Sequence, residues 1–189
     1  ASLLAERIRE KTCKPLEVLV LREEGGSLKA EEHIIELAKA MRKQADLLPL
    51  QEADISELVM GTECGGSDPT SGLAANPVVG KCSDLLVSHG GTVILSETPE
   101  MIGAEKILAA RCEKQDVKEK LLKTIKDFEE DFLCVGENPR NGNPTPGNIA
   151  GGITTLEEKS LGCVHKAGTT VIREVVGYGE PISEKGLVV

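Results

Sequence analysis

The stretch Cys64-Gly65-Gly66-Ser67-Asp68 places a thiol, two glycines, a hydroxyl and a carboxylate in succession, just after the apolar run Leu58-Val59-Met60. Paired glycines let a backbone approach a ligand and leave its N–H groups exposed. With a helix N-terminus close behind, such a turn suits a carboxylate or a phosphate. The same residues also make an ordinary tight turn, in which glycine supplies only a positive φ. Glu97 follows Val93-Ile94-Leu95, where a buried strand opens. A carboxylate there can act as a general base or a metal ligand, or bond the N-terminus of the next helix. Asp68 has the same readings, and Ser67 can donate to a substrate oxygen or cap its turn. Cys64 suits iron as a ligand, and a buried thiol is equally able to be filler.

A second group stands in Asn143-Pro-Thr-Pro-Gly-Asn148. Amide side chains donate and accept hydrogen bonds, so Asn143 and Asn148 match a polyol without adding charge. The plainer alternative is a turn capping the helix that begins near Thr154. His33, His89 and His165 are scattered, form no H-x-x-x-H pair and are left out of the catalytic set.

The elements that must position these residues follow from periodicity. Short apolar runs at 16–21, 57–61, 91–97 and 169–179 read as strands. Helices are expected at 3–12, at 27–48 with Ser27 as N-cap, and at 71–89 with an interruption near Asn76-Pro77 and Gly80. Others follow at 98–112 with Thr98 as N-cap, at 116–132 with an Asp116/Glu119 capping box, and at 154–168 with a Thr155/Glu158 box. Strand–helix alternation predicts an α/β fold: an open, mostly parallel sheet with helices on both faces, a three-layer Rossmann-like arrangement in one domain over 1–189. Turns at Glu24–Ser27, Cys64–Asp68 and Ser96–Glu100 would then lie at the carboxyl ends of strands, where such sheets bind ligands. Residues 135–152 have no apolar periodicity and read as an irregular functional loop rich in Pro, Gly and Asn.

Composition narrows the function. The 189 residues carry 22 Lys and Arg against 31 Asp and Glu, a net charge of −9. An acidic chain argues against nucleic acid and anionic membranes as partners. Aromatics are only 2%, so stacking on sugars or bases is not the expected mode. Neither a P-loop nor G-x-G-x-x-G occurs, and no nucleotide cofactor is expected. The six cysteines include no C-x-x-C pair and read as reduced thiols. With no 18-residue apolar run and no signal peptide, a soluble cytoplasmic chain is expected. Oligomeric state is open, a homo-oligomer included.

Together, CGGSDPTSGLAANPVVG, GGTVILSETPEMIGAE, NPTPGNIAGGITTLEEKSLG and KGLVV resemble the altronate and galactarate dehydratases and the related sulfolactate sulfo-lyase large subunit. The resemblance implies a hydro-lyase that eliminates water from a small anionic sugar acid with a divalent metal, iron. Its matched motifs put Asn76, Gly151 and Gly152 beside Gly65, Gly66, Ser67, Asn143 and Asn148 as substrate-binding residues. Glu97 and Asp68 are then the catalytic carboxylates, and Cys64 or Glu97 the metal ligands. It also implies an internal or C-terminal-region piece of a longer enzyme, whose N-terminal β-rich domain shares the active site. The alternative is a structural, assembly or sugar-acid-binding domain whose partner domains carry the chemistry.

Overall fold

The computed structural model describes residues 2–189. By contacts the chain forms two compact units, Ala1–Glu52 and Ala53–Val189, where the sequence reads as one domain. In the first unit, helix α1 (Ser2–Arg9) and helix α2 (Ser27–Ala45) flank the segment expected as a strand. Leu16–Leu21 has extended or turn backbone without a strand partner, and Leu21 is 59% exposed. An apolar run becomes a strand only where another strand can take its N–H and C=O groups, and here none does. The Glu24–Ser27 turn therefore follows no strand. Gly26, at φ 114, takes the N-cap position expected for Ser27.

The second unit holds a four-stranded sheet of β1 (Val59–Thr62), β2 (Thr92–Leu95), β3 (Ile172–Glu174) and β4 (Leu187–Val188). The spatial order is β1-β2-β4-β3, and every pairing is parallel. The terminal apolar run is thus a central strand. Successive strand residues point to opposite faces. Leu187 and Val188 are both fully buried, as is Val93 beside the 5%-exposed Thr92, so both faces are covered, as parallel sheets require. Leu86, Leu108, Leu121 and Ile125 of the helices complete this core.

Helix α3 (Asn76–Ser88) links β1 to β2, with Pro77 in its first turn. A π-helical turn at Ser71–Ala75 runs straight into it, so the expected interruption is a change of winding one turn earlier. The expected helix at 98–112 is split. Thr98–Met101 is a 3-10 turn, Gly103 has φ 89, and α4 (Glu105–Ala109) starts beyond it. Helix α5 (Gln115–Cys134) begins after Lys114, which makes no side-chain cap; Glu119 accepts from Gln115 Nε2 at 2.9 Å, and the expected box with Asp116 does not form. Within 135–152 two short helices form, α6 (Pro139–Gly142) and α7 (Pro146–Ala150), capped by Asn138 and Thr145 and separated by a cis Asn143–Pro144 bond. Helix α8 (Leu156–Cys163) is capped by Thr155 as expected, but the Glu158 carboxylate bonds Thr154 N–H rather than that of Thr155. A 3-10 turn, Val164–Ala167, follows.

Asp84 of α3 fixes the turn after this last element. It accepts hydrogen bonds from the backbone N–H and the hydroxyl of both Thr169 and Thr170, at 2.7–3.1 Å. Burial alone would raise its pKa, but the four donors outweigh burial and hold it below the ordinary value. A depressed carboxylate stabilises the fold above its unfolded pKa and loses that contribution as pH falls through its folded pKa. Asp84→Asn is expected to lose about 1–2 kcal/mol at neutral pH. The gap to the parent should close below about pH 4, as urea unfolding at the two pH values will show.

Candidate functional site

The carboxyl ends of β1 and β2 deliver Cys64 and Glu97 to one place. Ser96 Oγ donates to the Thr62 carbonyl and ties the two strand ends together. Glu97 then sits at φ 73, ψ 64, a left-handed conformation that a non-glycine residue holds only when its surroundings enforce it. Its side chain is held by an ion pair, Lys166 Nζ to Glu97 Oε2 at 2.8 Å.

One turn further, Glu100 is 5% exposed. Lys159 Nζ lies 2.8 Å from its Oε1, Cys163 Sγ donates to its Oε2 at 2.8 Å, and Lys166 Nζ stands 3.8 Å away. Lys159, 8% exposed, and Lys166, 3% exposed, are buried ammonium groups. Lys159 also donates to Asn143 Oδ1 at 2.9 Å. Two carboxylates and two ammonium groups thus balance in a site with little water to screen them.

The protonation states follow. Burial pushes the Glu97 pKa up, and the Lys166 hydrogen bond only partly opposes this, with the Glu100 charge adding to the rise. Burial would raise Glu100 too, but bonds from Cys163 and Lys159 hold it below the ordinary range. Burial, then the neighbouring Glu100, pushes the Cys163 thiol up to about 12, so it remains a protonated donor. Burial lowers Lys166, but its bond to the Glu97 carboxylate more than compensates and keeps it charged.

Cys64 Sγ and one oxygen each of Glu97 and Glu100 lie within 4.8 Å of one another. A mixed thiolate and carboxylate set fits a first-row divalent ion such as iron. The Cys64 sulfur also accepts from Gly66 N–H at 3.4 Å and lies 3.1 Å from Ser67 Oγ, so the glycine turn shapes the thiol. No side chain crowds Gly65 or Gly66, and Gly66 has φ 124.

The other expected residues are placed differently. Asp68 accepts from Thr70 Oγ1, Ser71 N–H and Ser71 Oγ. The Thr70 hydroxyl is the main cause that lowers its pKa. It orders its own turn and is not among the groups around Glu97. Asn148 is 5% exposed, and its amide is spent inside the fold: Oδ1 accepts from Thr145 N–H and Oγ1, and Nδ2 donates to the Ser67 carbonyl. Gly151 and Gly152 abut Asp68 and Pro69, where a Cβ would come within 3.0 and 3.3 Å. Residues 143–152 therefore buttress the Cys64 turn. Asn76 donates to the Gly162 carbonyl at 3.0 Å, bracing α3 against α8.

Two clefts flank the cluster. One of about 320 Å³ is lined by Ser67, Asp68, Asn76, Lys159 and His165. The other, about 240 Å³, opens at the carboxyl ends of β2 and β4 and is lined by Glu97, Thr98, Tyr178 and Gly179, where open parallel sheets bind ligands. Sequence reading missed Glu100, Lys159, Cys163 and Lys166. The signal was Lys159 and Lys166 seven residues apart, two helical turns on one face of the helix expected there.

Comparison with known proteins identifies related sequences. The family profile described as D-galactarate/Altronate dehydratase, C-terminal, matches residues 55–189. An altronate dehydratase of Escherichia coli is 46% identical over 156 residues, 82% of this chain and 30% of that protein. The galactarate dehydratase (L-threo-forming) of Escherichia coli is 38% identical over 83% of this chain and 30% of its own length. A (2R)-sulfolactate sulfo-lyase subunit beta of Chromohalobacter salexigens is 39% identical over 69% of this chain and 34% of its own. This chain spans about a third of the length of these relatives. Among the described residues no helix is long and apolar enough to cross a membrane. The chain belongs to the D-galactarate/altronate dehydratase family and carries its C-terminal domain.

Proposed function

We propose that this chain is the C-terminal part of a metal-assisted hydro-lyase that dehydrates a sugar acid of the altronate or galactarate type to a 2-keto-3-deoxy acid. The observation that carries the reading is the Cys64–Glu97–Glu100 cluster, with Glu100 buried and the other two half-buried, and its two buried lysines, set at the carboxyl edge of the sheet within the matched family domain. A base removes the proton on the carbon next to the carboxylate, the hydroxyl on the following carbon leaves as water, and the enol becomes the 2-keto acid.

Glu97 is the base or a metal ligand, and the burial that raises its pKa makes it the better proton acceptor. Lys166 fixes Glu97 in direction, and Lys159 and Cys163 fix Glu100. Cys64, Glu97 and Glu100 are the residues that would hold a divalent ion, which when bound supplies positive charge to the carboxylate as the proton leaves. The Gly65 and Ser67 N–H groups of this turn are offered to the anionic head of the substrate, while that of Gly66 is bonded to the Cys64 sulfur. The Asn143 amide, held by Lys159, faces the same cluster. The remaining domains of the complete enzyme supply the opposite wall of the site.

In the complete enzyme, Glu97→Gln is expected to lower kcat on altronate or galactarate by about 100-fold or more, with the fold unchanged by circular dichroism. Near-parental turnover in Glu97→Gln would remove Glu97 from the mechanism.

A further inference from the structure

A cluster that gathers three metal-ligating atoms also gathers two ammonium groups, and these work against each other. Lys166 Nζ already occupies Glu97 Oε2 at 2.8 Å, and Lys159 Nζ occupies Glu100 Oε1 at 2.8 Å. Neither lysine can easily retreat. The Lys166 backbone carbonyl is gripped by Ser83 Oγ at 2.7 Å, from a serine 1% exposed. The Lys159 ammonium is held from a second side by Asn143 Oδ1. Both side chains are buried, so water screens little of their charge. The two ion pairs already set Lys166 against Glu97 and Lys159 against Glu100. A divalent ion added beside them meets two fixed like charges and shares both of its carboxylates with them.

We propose that Lys166 and Lys159 are resident counter-ions that hold down the affinity of the Cys64–Glu97–Glu100 cluster for a divalent ion, so that neutralising Lys166 tightens ion binding. The inference rests on the metal-assisted reading above and names the residues that regulate it.

The test is calorimetric titration of the chelator-stripped chain with Mn²⁺ alone. Lys166→Met is expected to bind about tenfold more tightly or better than the parent. Lys166→Arg, which keeps the charge, should match the parent, and Cys64→Ser should bind more weakly than the parent. Lys166→Gln is neutral yet still donates to Glu97, so it carries the same expectation if Lys166→Met does not fold. Equal or weaker binding by the neutral variants overturns the proposal and leaves the metal-assisted reading standing. Absence of Mn²⁺ binding in the parent and in every variant overturns both.

Discussion

Gly80→Ala is expected to destabilise the second unit by about 3 kcal/mol, although glycine to alanine within a helix ordinarily gains up to about 1 kcal/mol. Gly80 lies inside α3, where it meets the 3-10 turn after α8. A Cβ at this position would stand 2.1 Å from the His165 carbonyl oxygen and 3.0 Å from Gly168 Cα and N. All three atoms belong to the backbone, so no side chain can swing aside. Gly168 is equally constrained: at φ 60 its own Cβ would meet the Asp84 carboxylate at 2.3 Å and the Gly80 carbonyl at 2.4 Å. Relief must come from moving the 3-10 turn, and Lys166 moves with it. The urea midpoint should fall, and in the complete enzyme turnover should fall too, because the Lys166–Glu97 pair is displaced. Gly142→Ala is the control. Nothing lies within 4 Å of its Cβ, and its effect should stay below about 1 kcal/mol.

Glu100→Gln should be at least as damaging, about 3–5 kcal/mol, because it breaks a buried pair and leaves its partner charged. Glu100 receives Lys159 and Cys163 directly and has Lys166 at 3.8 Å. Without the carboxylate, the Lys159 ammonium has only neutral acceptors, the Asn143 amide and the introduced glutamine oxygen, and its charge is unpaired. Replacing both partners, Glu100→Leu with Lys159→Met, removes the unpaired charge and should recover much of the loss. The pH dependence has a definite sign. Glu100 is held below its ordinary pKa against the upward push of burial. Its contribution is therefore present above its unfolded pKa and disappears as pH falls through its folded pKa. The difference between parent and Glu100→Gln, read from urea midpoints, should narrow below about pH 4.

Much of the second unit was legible because its signals are local. The runs expected at 57–61 and 91–97 form the strands Val59–Thr62 and Thr92–Leu95, and Cys64 and Glu97 beyond their ends converge at the carboxyl edge. Leu187–Val188 has the pattern of a buried strand and is one. What could not be read depends on partners distant in the chain. Charged residues are by default solvated, and Lys166 is buried only because Glu97, 69 residues away, neutralises it. Leu16–Leu21 has strand-like residues but no strand beside it. Asn148 reads as a free amide until Ser67, 81 residues away, takes its donor, although Thr145-x-x-Asn148 is itself capping-box spacing that pointed to a structural role.

The Cys64–Glu97–Glu100 cluster is proposed as the place where the family's reaction is carried out. The most direct measurement is metal content together with 2-keto-3-deoxy acid formation from altronate and galactarate, in the complete enzyme and in its Cys64→Ser variant. Product is expected from at least one of the two acids in the parent, with bound metal and turnover falling together in Cys64→Ser. Full metal content and full turnover in that variant, or no product from either acid in the parent, would contradict that assignment.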